Sequence, residues 1–137
     1  MPPKRSNTLT EAELRLMRLL WSHGECSVQD LVLAMPEKAR LAYTSVLTTI
    51  RILETKGFVI HRQAGRAFLY TAVVAEEAAQ QSEVRHMISR FFGDSRERLM
   101  LSLLGDTEVT TRELESLKRL IARAEAEENQ KIVEGGE

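Results

Sequence analysis

The sequence has one cysteine, Cys26, in 137 residues. That excludes an internal disulfide and fits a reducing compartment. No uninterrupted apolar run approaches the ~18 residues of a membrane span, and the charged start MPPKRSNT has no apolar stretch behind it. Neither a signal peptide nor membrane insertion is therefore expected; residues 1–7 read as a flexible arm and the chain as cytoplasmic. Enzyme motifs are missing too. There is no nucleophile elbow, no phosphate-cradling glycine loop and no acid–base pair, so no catalytic residue is assigned. His23, His61 and His86 stand far apart, without cysteine partners or ligand spacing, and no metal or other cofactor is expected. There is no internal repeat and no low-complexity tract. What remains, 43% hydrophobic and 28% charged, is the composition of a globular protein with one real core and a small second module.

The net charge of −1 hides a division. Residues 1–75 carry ten Lys and Arg against six Asp and Glu, an excess of four; residues 76–137 carry nine against fourteen, a deficit of five. Such asymmetry points to a polyanion-binding half joined to a half with another task.

The informative stretch is AYTSVLTTIRILETK, residues 42–56, closed by Gly57. At about 100° per residue, Val46, Ile50 and Leu53 fall within roughly 60° of one another and form a core-facing stripe. Tyr43 and Leu47 lie at its edge. The opposite arc gathers Thr44, Thr48, Arg51 and Thr55, flanked by Ser45 and Ile52. Solvated helix faces favour Glu, Lys and Gln, because Thr and Ser are poorer helix formers. Short hydroxyls and one guanidinium suit a surface lying against base edges and phosphates.

The flanking segments give that helix a setting. Thr10 and Glu13 make a capping box, after which Leu14, Met17, Leu20 and Trp21 recur at helical spacing up to Gly24. Ser27 caps a second helix carrying Val28, Leu31, Val32 and Met35, stopped by Pro36. Three short helices joined by turns form a helix-turn-helix core. Cys26, in the turn ahead of the second helix, reads as a small buried residue rather than a redox switch. After Gly57, the run Phe58 to Ile60, a polar turn over residues 61–66 and the run Ala67 to Thr71 predict a hairpin tipped by Arg62 and Arg66. Phe58, Ile60, Phe68 and Tyr70 are expected to anchor it. The expected fold is thus mainly α with a β-hairpin wing: a winged helix over residues 1–75. Tyr43, Thr44, Ser45, Thr48 and Arg51 are the expected groove-facing set, with Arg62, Arg66 and Lys56 on phosphate or minor groove.

Residues 76–126 read as three more helices, with a frayed tail over 127–137. Val84, Met87, Ile88, Phe91, Phe92, Leu99, Leu103, Leu114, Leu117 and Ile121 supply more apolar surface than so few elements can enclose. These residues are expected to join two copies of the chain.

At this point the sequence resembles the BlaI/MecI/CopY family of bacterial transcriptional repressors, the penicillinase-repressor type. The residues that carry the resemblance begin with Glu13, Leu14, Leu20 and Trp21 in the first helix and Ser27-Val28 opening the second. Leu41-Ala42-Tyr43-Thr44-Ser45-Val46, Thr48-Thr49, Leu53 and Lys56-Gly57 match the third. Gly65-Arg66 and Tyr70 match the wing, and Phe91-Phe92-Gly93-Asp94-Ser95 the later link. The resemblance implies a homodimer on a palindromic double-stranded DNA operator, each third helix in a major groove. It also implies a membrane sensor protease, or its signalling product, that relieves repression by cleavage in the dimerisation helices. The Asn-Phe bond cut in the well-studied members is replaced here by Ser102-Leu103. The paired cysteines of the copper-responsive branch are missing after Cys26. A second class of function, a winged helix that docks another protein, is open to the same fold, although the Thr44/Thr48/Arg51 face lacks the aromatic anchors of protein hot spots.

Overall fold

The first helix begins where its free amides find partners. In the computed structural model, which describes residues 8–135, the Thr10 hydroxyl accepts the Glu13 amide at 3.2 Å and the Glu13 carboxylate accepts the Thr10 amide at 2.8 Å. This reciprocal cap opens α1, Glu11–His23. The same device, Ser27 with Asp30, opens α2, Val28–Ala34. A single 3-10 turn, Glu37–Ala39, leads into α3, Tyr43–Lys56. Arg15 and Arg40 hold that connector by donating to the carbonyls of Ala39 and of Leu33 and Met35. The expected arm, residues 1–7, lies outside the described residues.

Helix α3 ends as its sequence demands. Gly57 takes a left-handed conformation, φ +88°; its amide reaches the Glu54 carbonyl and the Phe58 amide the Leu53 carbonyl at 2.9 Å. This double closure puts Phe58 against Leu53, both buried, and aims the chain into the hairpin of β1, Val59–Ala64, and β2, Ala67–Ala72. The stripe foreseen on α3, Val46, Ile50 and Leu53, is fully buried, packed with Leu16, Met17 and Leu20 of α1 and Leu31 of α2. Each such side chain contributes about 1.5–3 kcal/mol on burial. Cys26 is buried here as well, and exchanges backbone hydrogen bonds with Tyr70 at 3.0 and 2.7 Å, so the turn after α1 becomes a one-residue third strand beside the wing.

The hairpin corrects two expectations. Its turn is not the six residues 61–66 but the two residues Gly65-Arg66, flanked by the Ala64–Ala67 pair. Gly65 has φ +62°, whereas Arg66 is not among the residues with positive φ, the pattern of the II′ turn that matches strand twist. His61, Arg62 and Gln63 are therefore strand residues. Nor do all four expected anchors reach the core. Phe58 and Tyr70 are buried, but Ile60 is 57% exposed and Phe68 47%. Side chains alternate across a strand, so Ile60, next to buried Val59, must face away, while Phe68 lies too far toward the tip.

Residues up to Asp94 form one compact unit and those from Ser95 a second. The first includes α4, Glu76–Phe91, placed by sequence at the start of the helical module. Three ties account for this: Ala79 joins the core, the Trp21 indole donates to the Val74 carbonyl at 2.9 Å, and the Leu9 amide donates to the Glu83 carboxylate at 2.6 Å. The second unit consists of α5, Arg96–Leu104, capped by Ser95, and α6, Thr111–Gly135, opened by a Thr110–Glu113 capping box. The tail expected to fray from Glu127 is helical as far as Gly135. The segment has no proline, and its Glu127, Glu128, Gln130, Lys131 and Glu134 are good helix formers.

Candidate nucleic-acid interface

Helix α3 turns one face out of the molecule. Thr44, Ser45, Thr48, Arg51 and Thr55 are exposed along it, and so is Tyr43, whose place at the stripe's edge allowed packing. Thr48, Arg51, Ile52 and Thr55, with Lys56, line an open concavity of about 460 Å³. The Arg51 guanidinium makes no hydrogen bond or ion pair among the described residues, leaving all its donors available. The threonines are less free. Thr48, Thr49 and Thr55 donate their hydroxyl hydrogens to the carbonyls of Thr44, Ser45 and Arg51 at 2.8–3.0 Å. A hydroxyl has one hydrogen and two lone pairs. Thr48 therefore presents a methyl group and an acceptor, not a donor. The i−4 spacing of Thr48 from Thr44 was readable in the sequence; the rotamer that uses it was not.

Lys56 borders this concavity, but its ammonium is engaged on the α1 side. Its ammonium donates to Glu13 Oε1 at 2.8 Å and to the Thr8 carbonyl at 3.2 Å, and its side chain is only 17% exposed. Glu13 is itself buried at the start of α1. Burial pushes its carboxyl pKa up, but the hydrogen bonds from Lys56 and Thr10 outweigh this and leave it below the usual carboxylate value. Lys56, expected as a DNA contact, thus clamps α1 to the end of α3. Sequence reasoning assigned Glu13 to capping alone, because a partner 43 residues away leaves no local signal.

The wing places its two arginines differently. Arg66 is in the turn, exposed and without an ion-pair partner among the described residues. Arg62 sits within β1, paired in register with Leu69, and grips Glu25 of the α1–α2 turn: Nε to Oε2 and Nη2 to Oε1, both at 2.7 Å. The hydrogen bond from Arg62 lowers the Glu25 pKa and raises that of Arg62. On the other face of β1, His61 Nδ1 lies 2.6 Å from Glu54 Oε2 of α3, and the ring rests 4.9 and 5.4 Å from Phe68 and Tyr70. Wing and α3 are therefore laced together. Cys26 is buried, and burial together with nearby Asp30 raises its thiol pKa.

Of the residues expected to join two copies, Val84, Met87 and Phe91 are exposed on α4, and Leu103, Leu114, Leu117 and Ile121 on α5 and α6; Phe92 and Leu99 are half-buried. Ile88 differs. It is 7% exposed within the single chain, where the backbone turns back and the amides of Phe92 and Asp94 both donate to its carbonyl. Within the second unit no described residue is buried. Leu103, Leu104, Leu114, Leu117 and Leu120 instead line an open groove of about 530 Å³. Among the described residues no three His, Cys, Asp or Glu side chains gather as a metal site, and no helix is long and apolar enough to cross a membrane.

Residues 9–123 match the family model described as penicillinase repressor. The chain is similar to an "uncharacterized 16.5 kDa protein in ptsI 3′ region" of Latilactobacillus sakei, 26% identical over 129 residues, which cover 94% of this chain and 88% of that one. Among solved structures it is similar to the DNA-binding domain of the repressor BlaI: 24% identity, TM-score 0.48, 55% of this chain and 92% of that one. It is also similar to Bacillus licheniformis BlaI in its monomeric form with the blaP half-operator: 23% identity, TM-score 0.46, 54% and 90%. YusO of Bacillus subtilis is similar over 86% of this chain and 75% of its own, with 17% identity and a TM-score of 0.47.

Proposed function

This chain belongs to the penicillinase repressor family, a family of transcriptional repressors and not of enzymes, and from that premise we propose that it represses transcription as a homodimer seated on a two-fold symmetric DNA operator. The observation that carries the reading is the outward face of α3, an unpaired Arg51 among back-bonded threonines. Arg51 is suited to a bidentate contact with guanine; the Thr48 methyl suits a thymine methyl, and its hydroxyl oxygen suits an exocyclic amino group. Thr44, Ser45 and Tyr43 lie where helix α3 begins, near the groove wall, and Arg66 at the wing tip reaches the neighbouring phosphates or minor groove. Lys56 is left out of this set, since removing it from Glu13 would strand a buried carboxylate.

One module makes few contacts. Two copies held together add their binding free energies, because the second engages at high effective concentration, with half-sites about 34 Å apart, one turn of DNA. The exposed leucines of α5 and α6, together with Val84, Met87 and Phe91 of α4, supply the joining surface. Whatever separates the copies then frees the operator without touching α3. Cleavage at Ser102-Leu103 would be one route; the bond lies in the last turn of α5 with both residues exposed.

Selection of bound fragments from random duplexes by the purified chain tests the reading. A two-fold motif, bound with an affinity that falls steeply with salt as counterions are released, is the expected result. Equal retention of every duplex would remove sequence reading. No retention at low salt would favour docking to another protein instead.

A further inference from the structure

Resting on the DNA-binding reading above, we propose that Glu25 is an internal stand-in for a DNA phosphate: by holding Arg62 of the wing in a two-pronged pair, it sets how tightly the protein grips any duplex. Glu25 is in the turn between α1 and α2 and Arg62 is on β1, so the pair closes across the side of the wing. Both hydrogen bonds are 2.7 Å long and fork meets fork, the arrangement a guanidinium also makes with two phosphate oxygens. The edge of Arg62 best shaped for a phosphate is therefore occupied. Arg66, at the tip of the same wing, has no such partner among the described residues.

The pair is solvent-exposed, with side chains 62% and 35% accessible. Exposed pairs of this kind are weak and yield to competitors. A phosphate brought against the wing can displace the carboxylate, and the rearrangement has two consequences. Until it happens, the wing offers the duplex one fewer uncompensated cation. Once it has happened, a bare carboxylate faces the phosphates. Glu25 thereby holds down binding to all sequences, while the base contacts of α3 are untouched. A specific complex gains relative weight because general attraction is restrained.

The test is Glu25→Gln, nearly isosteric and in an exposed turn, with thermal unfolding as a control for folding. Duplex binding is measured by fluorescence anisotropy on the selected operator and on an unrelated duplex. Affinity is expected to rise about threefold on both, as an exposed ion pair implies, chiefly through faster association. In the Arg62→Ala background the same change should give a clearly smaller gain, only that of removing one negative charge from beside the phosphates. Weaker binding by Glu25→Gln would mean that the carboxylate aims Arg62 at DNA rather than withholding it, and would overturn the proposal. So would an equal gain with and without Arg62, which marks a general charge effect, or no change in either background. Failure of the unaltered protein to bind any duplex would instead overturn the DNA-binding reading itself, and this proposal with it.

Discussion

The two units of this protein use leucine to opposite ends. In the first, Leu16, Leu20, Leu31 and Leu53 are enclosed by three helices and the foot of a hairpin; in the second, Leu101, Leu103, Leu104 and Leu120 remain open to solvent on two helices. The difference is one of layers. An apolar stripe is covered only when another element faces it, and α5 and α6 have too few faces between them. Apolar surface of that extent is the usual mark of an interface, and α4 of the first unit carries a smaller share of it in Val84, Met87 and Phe91.

Substitutions in the two units should therefore fail in different ways. The largest effect on unfolding is expected at Ile50→Ala, which opens a cavity where helices meet and costs about 2–5 kcal/mol. Chemical denaturation would read it; a loss under 1 kcal/mol would deny that α3 is the centre of the core. Leu117→Asp should hardly alter the helical content of a single chain, yet separate two copies and weaken operator binding by roughly 100-fold through lost avidity. Light scattering and anisotropy together check this, and unchanged mass with unchanged affinity would sink it.

Lys56→Met sharpens the comparison through pH. In the unaltered protein the folded Glu13 pKa lies below the unfolded value of 4.5. Its contribution is therefore complete above 4.5 and lost as pH falls through the lower folded value. Without Lys56 the buried carboxylate keeps desolvation and loses its countercharge, at a cost of about 3 kcal/mol near neutrality. Should burial then lift the folded pKa above 4.5, the sign reverses and the variant gains stability on acidification. Parallel pH profiles for the two proteins would refute the clamp. The smallest effects are expected on the DNA-facing side. Arg51→Ala should cost about 1–3 kcal/mol on the operator and relax preference at one base pair, whereas Arg66→Ala should weaken all duplexes alike and flatten the salt dependence. A competition series with single-base operator variants separates them.

Local signals were readable in proportion to how near their causes lie along the chain. The Thr10 and Ser27 caps, the three-residue stripe of α3 and its glycine end all rest on neighbours within a few residues, and the structure has them where periodicity put them. The hairpin was legible as a hairpin, yet its turn was placed too wide, because polar residues at 61–63 suggested a loop when strand pairing governs them. Long-range ion pairs left no trace at all. Nothing near Lys56 announces Glu13, and nothing near Arg62 announces Glu25; both cations looked like surface charges awaiting phosphate. Of the four cations expected at DNA, Arg51 and Arg66 have no ion-pair partner among the described residues. The helical continuation beyond Glu127 rests on a proline-free run of Glu, Gln and Lys, a weak local signal beside the glycines that follow it.

Sedimentation equilibrium of the full chain, at micromolar concentration without DNA, tests most directly whether the uncovered leucines join two copies. A mass of twice the 15.5 kDa chain, reverting to one chain in Leu117→Asp, is the expected result. A single-chain mass for the unaltered protein at every concentration would contradict it, and leave the open faces of α5 and α6 without the partner assigned to them.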